Sequence, residues 1–151
     1  MVDIHHEGHA HAPLSVAFAY IDDYHTTPDW MFGLAKFEPI GELDQGLNAV
    51  FEGTFQVKPV KLHSTVKITA WEQDKLIKME SIKGFVNRST WRFEALNDTE
   101  TKVLVDFTYE LPGGLAGRAL GKALEPIVAL SIRHSDAALR KNIEARYARG
   151  R

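Results

Sequence analysis

The sequence predicts an α+β fold, in which an antiparallel sheet of about six strands packs on one long C-terminal helix and two short helices follow the first strand. Three observations carry this. Apolar and polar residues alternate with period two through most of residues 49–111, as in strands with one covered and one wet face. A helical period takes over after Leu111-Pro112-Gly113-Gly114 and holds for about 33 residues, well above the average helix. Two further stretches of helical spacing interrupt the N-terminal part, each with a proline at its start.

The first strand is unusual. Residues 3–13, DIHHEGHAHAP, hold four of the seven histidines of the chain. In a strand, Asp3, His5, Glu7, His9 and His11 share one face, and Val2, Ile4, His6, Gly8 and Ala10 share the other. The second set is mostly apolar and small, as a core wants, so the histidine row is assigned to solvent and no metal is assigned to it. His6, on the covered side, is read as a buried histidine or as a catalytic base. Pro13 suits the first turn of a helix, and LSVAFAYIDDY places Val16, Ala17, Tyr20, Ile21 and Tyr24 at helical spacing. TTPDW restarts a helix, with Thr27 as cap, Pro28 at its first position and Asp29 favouring the dipole. Gly33 and Pro39-Ile40-Gly41 close that helix, and the next strand is expected from Ala49.

Five strands follow. AVFEGTFQV alternates around Phe51, Gly53, Phe55 and Val57. KLHSTVKITAW sets Leu62, Val66 and Ile68 against Lys61, His63 and Lys67, and DKLIKMESI is less cleanly split. STWRFEAL sets Trp91 and Phe93 against Arg92 and Glu94. KVLVDFTYEL sets Val103, Val105, Phe107, Tyr109 and Leu111 against Lys102, Asp106, Thr108 and Glu110. Gln73-Asp74 and Asn97-Asp98 are turn signals. In the long helix, Leu120, Leu124, Val128, Ile132, Leu139, Ile143 and Tyr147 form the apolar side. Pro126 is expected to bend it, and its basic residues gather late, where cations suit the dipole.

Composition bounds the function. A chain of 151 residues is expected to be one domain, 1–151, burying roughly 70% of its unfolded surface. With no cysteine, disulfides, thiolate zinc sites and cysteine nucleophiles are excluded. The net charge of −2 and scattered basic residues argue against a nucleic-acid partner. No apolar run approaches the roughly 20 residues of a membrane span, and MVDIHHEG lacks a leader pattern. A cytoplasmic protein without stable membrane insertion is the expectation.

Recognised catalytic motifs are absent. There is no G-x-S-x-G, so a hydrolase built on Ser131 and His134, one helical turn apart, lacks its elbow and oxyanion site. PGGLAGRALG fits neither a P-loop nor a dinucleotide fingerprint. Asp29 is explained as a first-turn residue, and Asp22-Asp23 as the end of the first helix.

The order of elements, with Ala12-Pro13, Val16, Asp23 and Trp30 in HAPLSVAFAYIDDYHTTPDWMFGLAKFEPIG, resembles the opening of the START-like (SRPBCC) superfamily, in its polyketide cyclase/dehydrase and lipid-transport branch. TWRFEALNDTETKVLVDFTYEL is similar to that branch's late hairpin, and a long C-terminal helix completes the likeness over nearly the whole chain. The resemblance implies a helix-grip fold, a curved sheet around the long helix with a deep apolar cavity between them. Trp30, Phe32 and Phe37 would flank its mouth, as ordinary packing or as an adjustable aromatic gate. Phe51, Phe55, Trp91, Phe93, Val105, Phe107 and Tyr109 would line the sheet side, with Leu120, Leu124 and Val128 from the helix. Ser64, Ser81, Ser89, Tyr109, Ser131, His134 and Ser135 are the polar groups that could project inward.

Three functions are compatible with these residues. The first is binding or transport of a small hydrophobic molecule, such as a lipid, fatty acyl chain or polyketide-like aromatic, by a monomer or homodimer without a cofactor. The second is an aromatase/cyclase with His6, Tyr109 or His134 as acid or base, and Arg88 as oxyanion partner if it faces inward. The third is a protein-interaction module with a vestigial cavity.

Overall fold

The computed structural model describes residues 2–31, 33–57, 60–110 and 114–149, without the side chains at 2, 57, 60 and 114–131. The elements run β1 (Val2–Ala10), α1 (Leu14–Asp22), a 3₁₀ turn (Tyr24–Thr26), α2 (Thr27–Trp30), β2 (Leu34–Ile40), β3 (Val50–Val57), β4 (Val60–Glu72), β5 (Leu76–Gly84), β6 (Val86–Asn97), β7 (Glu100–Glu110) and α3 (Gly114–Arg149). The strands form one antiparallel sheet in the order β1-β7-β6-β5-β4-β3-β2, so β1 and β2 are its two edges. This is the α+β helix-grip architecture, with seven strands rather than about six.

The added strand is β2. Only Leu34 of its seven residues is buried, and Pro39 lies within it. A proline denies the ladder a donor and is confined to edge strands, so the same residues that read as the close of a helix are admissible at this border. A second correction concerns the start of α2. Thr26, not Thr27, precedes it, and Thr26 Oγ1 turns back to donate to the carbonyls of Tyr20 (2.7 Å) and Asp23 (2.8 Å) instead of capping.

Register fixes which side chains face the helices. Trp91 opposes Val105, Phe93 opposes Val103 and Ser89 opposes Phe107 across β6 and β7. Ile77 opposes Trp91 on β5, Phe51 opposes Val66 across β3 and β4, and Phe37 opposes Gly53 across β2 and β3. Directly opposed residues share a face, so these form one covered surface.

Two apolar clusters stand on it. The first joins Ala10, Ala12, Ala17, Phe18, Tyr20, Ile21, Trp30, Ile77, Trp91, Phe93 and Val103 to Leu139 and Ile143 of α3. Phe18, which the helical spacing of α1 did not single out, is 1% exposed and meets Phe93 and Trp71 edge-on at 5.0 and 5.8 Å between centroids. The second joins Ala49, Phe51, Val66 and Ile68, with Tyr24, Phe37, Trp71 and Met79 packed against them. The helix α3 is continuous through Pro126, and Ile132, Leu139, Ile143 and Tyr147 are partly or fully buried as their spacing predicts.

Strand β1 divides as its sequence implies. Its odd-numbered residues from Asp3 to His9 are exposed, and its even-numbered ones from Ile4 to Ala10 are partly or fully buried. The exposed row is occupied with local partners. His5 Nδ1 faces Asp106, His9 Nε2 lies 3.4 Å from Glu7 and Lys102 Nζ lies 3.3 Å from Glu7. The Lys102 ammonium, then His9, hold the Glu7 carboxyl below its usual range. Among the described residues no three His, Asp or Glu side chains are placed to share a metal ion.

Candidate functional site

The two apolar clusters keep separate buried sets, with Trp71 and Met79 packed against both. Between them lies a hollow of about 30 Å³, lined by residues of both: Ile21, Trp30, Ile77 and Trp91 from the first, Phe51 and Ile68 from the second. Asp22, Tyr24, Thr27, Met31, Phe37 and Met79 complete the described wall. A cleft of about 460 Å³ opens to solvent, lined by Pro28, Asp29, Trp30, Met31, Gly33, Leu34, Ala35, Gln56 and His134. Trp30 and Met31 line both spaces.

Local chain chemistry explains that shared position. Pro28 pre-sets the backbone for the single turn of α2, and the turn ends at Trp30, with Met31 already extended. Gly33, at φ 83°, turns the chain in the left-handed region that suits glycine, and β2 begins at the next residue. A large ring at the end of a one-turn helix and a flexible thioether just after it thus face both cleft and hollow.

The polar groups are few. Asp22 is buried and accepts hydrogen bonds from Trp71 Nε1 at 2.9 Å and from Gln45 Nε2. Its role is structural as well as terminal to α1, since it ties α1 to β4 and to the β2–β3 loop. Ser64, buried on β4, donates to the Phe85 carbonyl at 3.0 Å and accepts from Asn87 Nδ2 at 2.9 Å. Ser81 Oγ accepts the Asn87 backbone N–H at 3.0 Å. Asn87 opposes Tyr109 in register, so a polar group of Ser64, Ser81 and Asn87 occupies the Tyr109 end of the covered face. Asn87 was missed in the sequence, although it shares the parity of Ser89 and Trp91. The indole Nε1 atoms of Trp30 and Trp91 are buried without a hydrogen-bond partner among the described residues.

The aromatic lining predicted from sequence is distributed over this surface. Trp30, Phe37, Phe51 and Trp91 meet at the hollow. Phe93 packs into the first cluster with Val105 against it. Phe107 and Phe85 surround buried Tyr109 at 5.9 and 6.0 Å. Phe55 is half-buried opposite Leu34. Phe32 and the side chains of Leu120, Leu124, Val128 and Ser131 lie outside the described residues.

The four catalytic candidates are not brought together. Arg88 is exposed and opposes Thr108 and Glu80 on the uncovered face, because no bulge separates it from Trp91 across β5 or β7. His6 opposes Val105, four residues from Tyr109 on β7, which puts about 13 Å of strand between them. His6 Nε2 instead lies 3.0 Å from Asp136 of α3. Gly8 makes that approach possible, because a Cβ there would stand 2.5 Å from the Asp136 carboxylate. His134 is exposed at the cleft.

A model of the family described as polyketide cyclase / dehydrase and lipid transport matches residues 1–144. No curated protein matches the sequence significantly. Among solved structures, a protein from Thermus thermophilus superposes with a TM-score of 0.80 at 17% identity, covering 95% of this chain and 98% of its own. The Zhui aromatase/cyclase from a Streptomyces species is similar with a TM-score of 0.77 at 17% identity, covering 96% and 94% of the two chains. A START superfamily protein from Mycobacterium smegmatis gives 0.69 at 14% identity, covering 95% and 97%. At these identities the likeness is one of fold.

Proposed function

The chain belongs to the polyketide cyclase/dehydrase and lipid transport family, and on that premise we propose that it binds a small hydrophobic molecule in the space beneath its sheet. The observation that carries this reading is the pairing of an apolar hollow with an open cleft across Trp30 and Met31. The cleft volume falls within the few hundred to a thousand Å³ of small-molecule sites. A ring swung aside at Trp30 joins the two spaces, which is how the aromatic gate would work. Binding needs only an apolar wall and a few orienting polar groups; the hollow supplies the apolar wall, and the cleft adds Asp29, Gln56 and His134.

A thermal-shift series with fatty acids, sterols and aromatic polyketides tests the reading. A guest that binds only the native state raises the melting temperature by mass action, with about 2.7 kcal/mol added at a hundredfold excess over Kd. If no apolar compound shifts it, the reading is wrong.

An aromatase/cyclase remains the second reading because one candidate, His134, does line the cleft. A general acid or base has to reach its proton within about 3 Å. Activity on a polyketide-like substrate that vanishes in His134→Ala, with folding intact, would favour it. Unchanged turnover would remove His134 from any such chemistry.

A further inference from the structure

Three tryptophans are present, and their indole N–H groups are treated unequally. Trp71 donates to Asp22. Trp30 and Trp91 meet edge-to-face with ring centroids 5.3 Å apart, both line the hollow, and both are more than nine-tenths buried. Neither of their Nε1–H groups has a partner among the described residues. A buried donor that has lost water without gaining an acceptor is costly to the fold. It becomes favourable when a guest brings the acceptor.

We propose, resting on the reading that this space takes an apolar guest, that Trp30 and Trp91 form a donor pair selecting guests with a neutral carbonyl oxygen. The size of the hollow fits this role. At about 30 Å³ it admits one oxygen-sized group and not a ring system. The head of the guest therefore enters the hollow beside the two indoles while its body lies toward the cleft, across Trp30. The charge of the wall sets the class of oxygen. Asp22 is the one carboxylate among the described lining residues, and none of them is lysine or arginine. A carboxylate guest would bring a second negative charge against a described wall that already holds Asp22 and no lysine or arginine. A ketone, quinone or ester oxygen accepts the same N–H without that penalty. Asp22 does not serve as the acceptor itself, being engaged by Trp71 and Gln45.

Three matched probes test the pair: 2-acetylnaphthalene, 2-ethylnaphthalene and 2-naphthoate, differing in a ketone, a methylene and a carboxylate. Affinity is measured by calorimetry, and the three indole N–H resonances are followed by ¹H–¹⁵N correlation spectra. The ketone is expected to bind about tenfold more tightly than the hydrocarbon, with naphthoate the weakest. The Trp30 or Trp91 indole proton should move downfield with the ketone alone, while that of Trp71 stays. Trp30→Phe and Trp91→Phe keep a ring and remove the donor, so the ketone preference should shrink toward unity. Should either variant misfold, the wild-type resonances decide. Equal binding of ketone and hydrocarbon with unmoved resonances overturns the donor pair and leaves the binding reading intact. Naphthoate binding as tightly as the ketone overturns the selection for a neutral oxygen. If no probe binds, the donor pair falls together with the reading beneath it.

Discussion

The two apolar clusters beneath the sheet are built on different terms. The first draws on α1, α2, four strands and the late turns of α3, so each of its large rings is clasped from several directions. The second rests on β3, β4 and the residue preceding β3, and its described partners are side chains of the 3₁₀ turn, β2, β4 and β5. One cluster is clamped between sheet and helices, and the other leans on a sheet edge. The difference shades the duties within one covered face: the first region holds the fold together and lends Ile21, Trp30, Ile77 and Trp91 to the hollow, and the second closes that hollow from the sheet-edge side.

The largest effect should come from emptying the clamped region. Phe18→Ala removes a side chain that is 1% exposed and touches two other aromatics, and should cost about 3–5 kcal/mol in denaturant unfolding. It should leave ligand affinity nearly unchanged. Phe51→Ala, in the leaning region beside the hollow, should cost about 1–2 kcal/mol less, because its surroundings already border free volume. It should change affinity for an apolar probe. Equal losses at the two sites, with equal effects on binding, would erase the division between the regions.

Asp22→Asn acts at the boundary, where one carboxylate serves Trp71 and Gln45. One acceptor oxygen becomes an amide donor, so a stability loss of about 1–3 kcal/mol is expected in the same unfolding assay. The smallest effect concerns Tyr20 in the clamped region, whose phenol is pushed up by burial from its ordinary value of 10.0. The native state then favours the neutral ring. Its contribution is fully present below pH 10 and is lost as pH climbs toward the raised native value. Tyr20→Phe should therefore flatten the alkaline fall of stability, beside a small loss at all pH from the missing hydrogen bond with Asn142, as read from unfolding midpoints across pH.

Much of this layout was legible in the sequence because periodicity reports burial directly. The alternation in β6 and β7 placed Trp91, Phe93, Val103 and Tyr109 on one face, and the register agrees. The spacing of Leu139, Ile143 and Tyr147 located the helical side of the core. What escaped was information that no period carries. Strand β2 has a single buried residue, so its edge position was invisible until β3 was seen to pair with it. Asp136 lies 130 positions from His6, and only the packing of α3 on β1 brings them within 3.0 Å. Asn87 and the second duty of Asp22 likewise depend on partners distant in sequence, Ser64 and Trp71. Trp30, Phe37, Phe51 and Trp91 around the hollow were singled out in the sequence for the cavity, and Tyr24 was not. Which of them would be left with idle donors was not foreseen, because that depends on ring orientation.

One detail of the border strand β2 reaches beyond the single molecule. Its outer rim has no neighbour in the sheet, and such a rim is a template on which another chain can zip. Pro39 offers no N–H to an arriving strand, and the charged pair of Lys36 and Glu38, 3.6 Å apart, flanks it on the exposed side. An intruding backbone meets a missing rung and must strip water from two ions. The margin beside the leaning region is thus guarded against runaway self-assembly by the same proline that hid the strand from view.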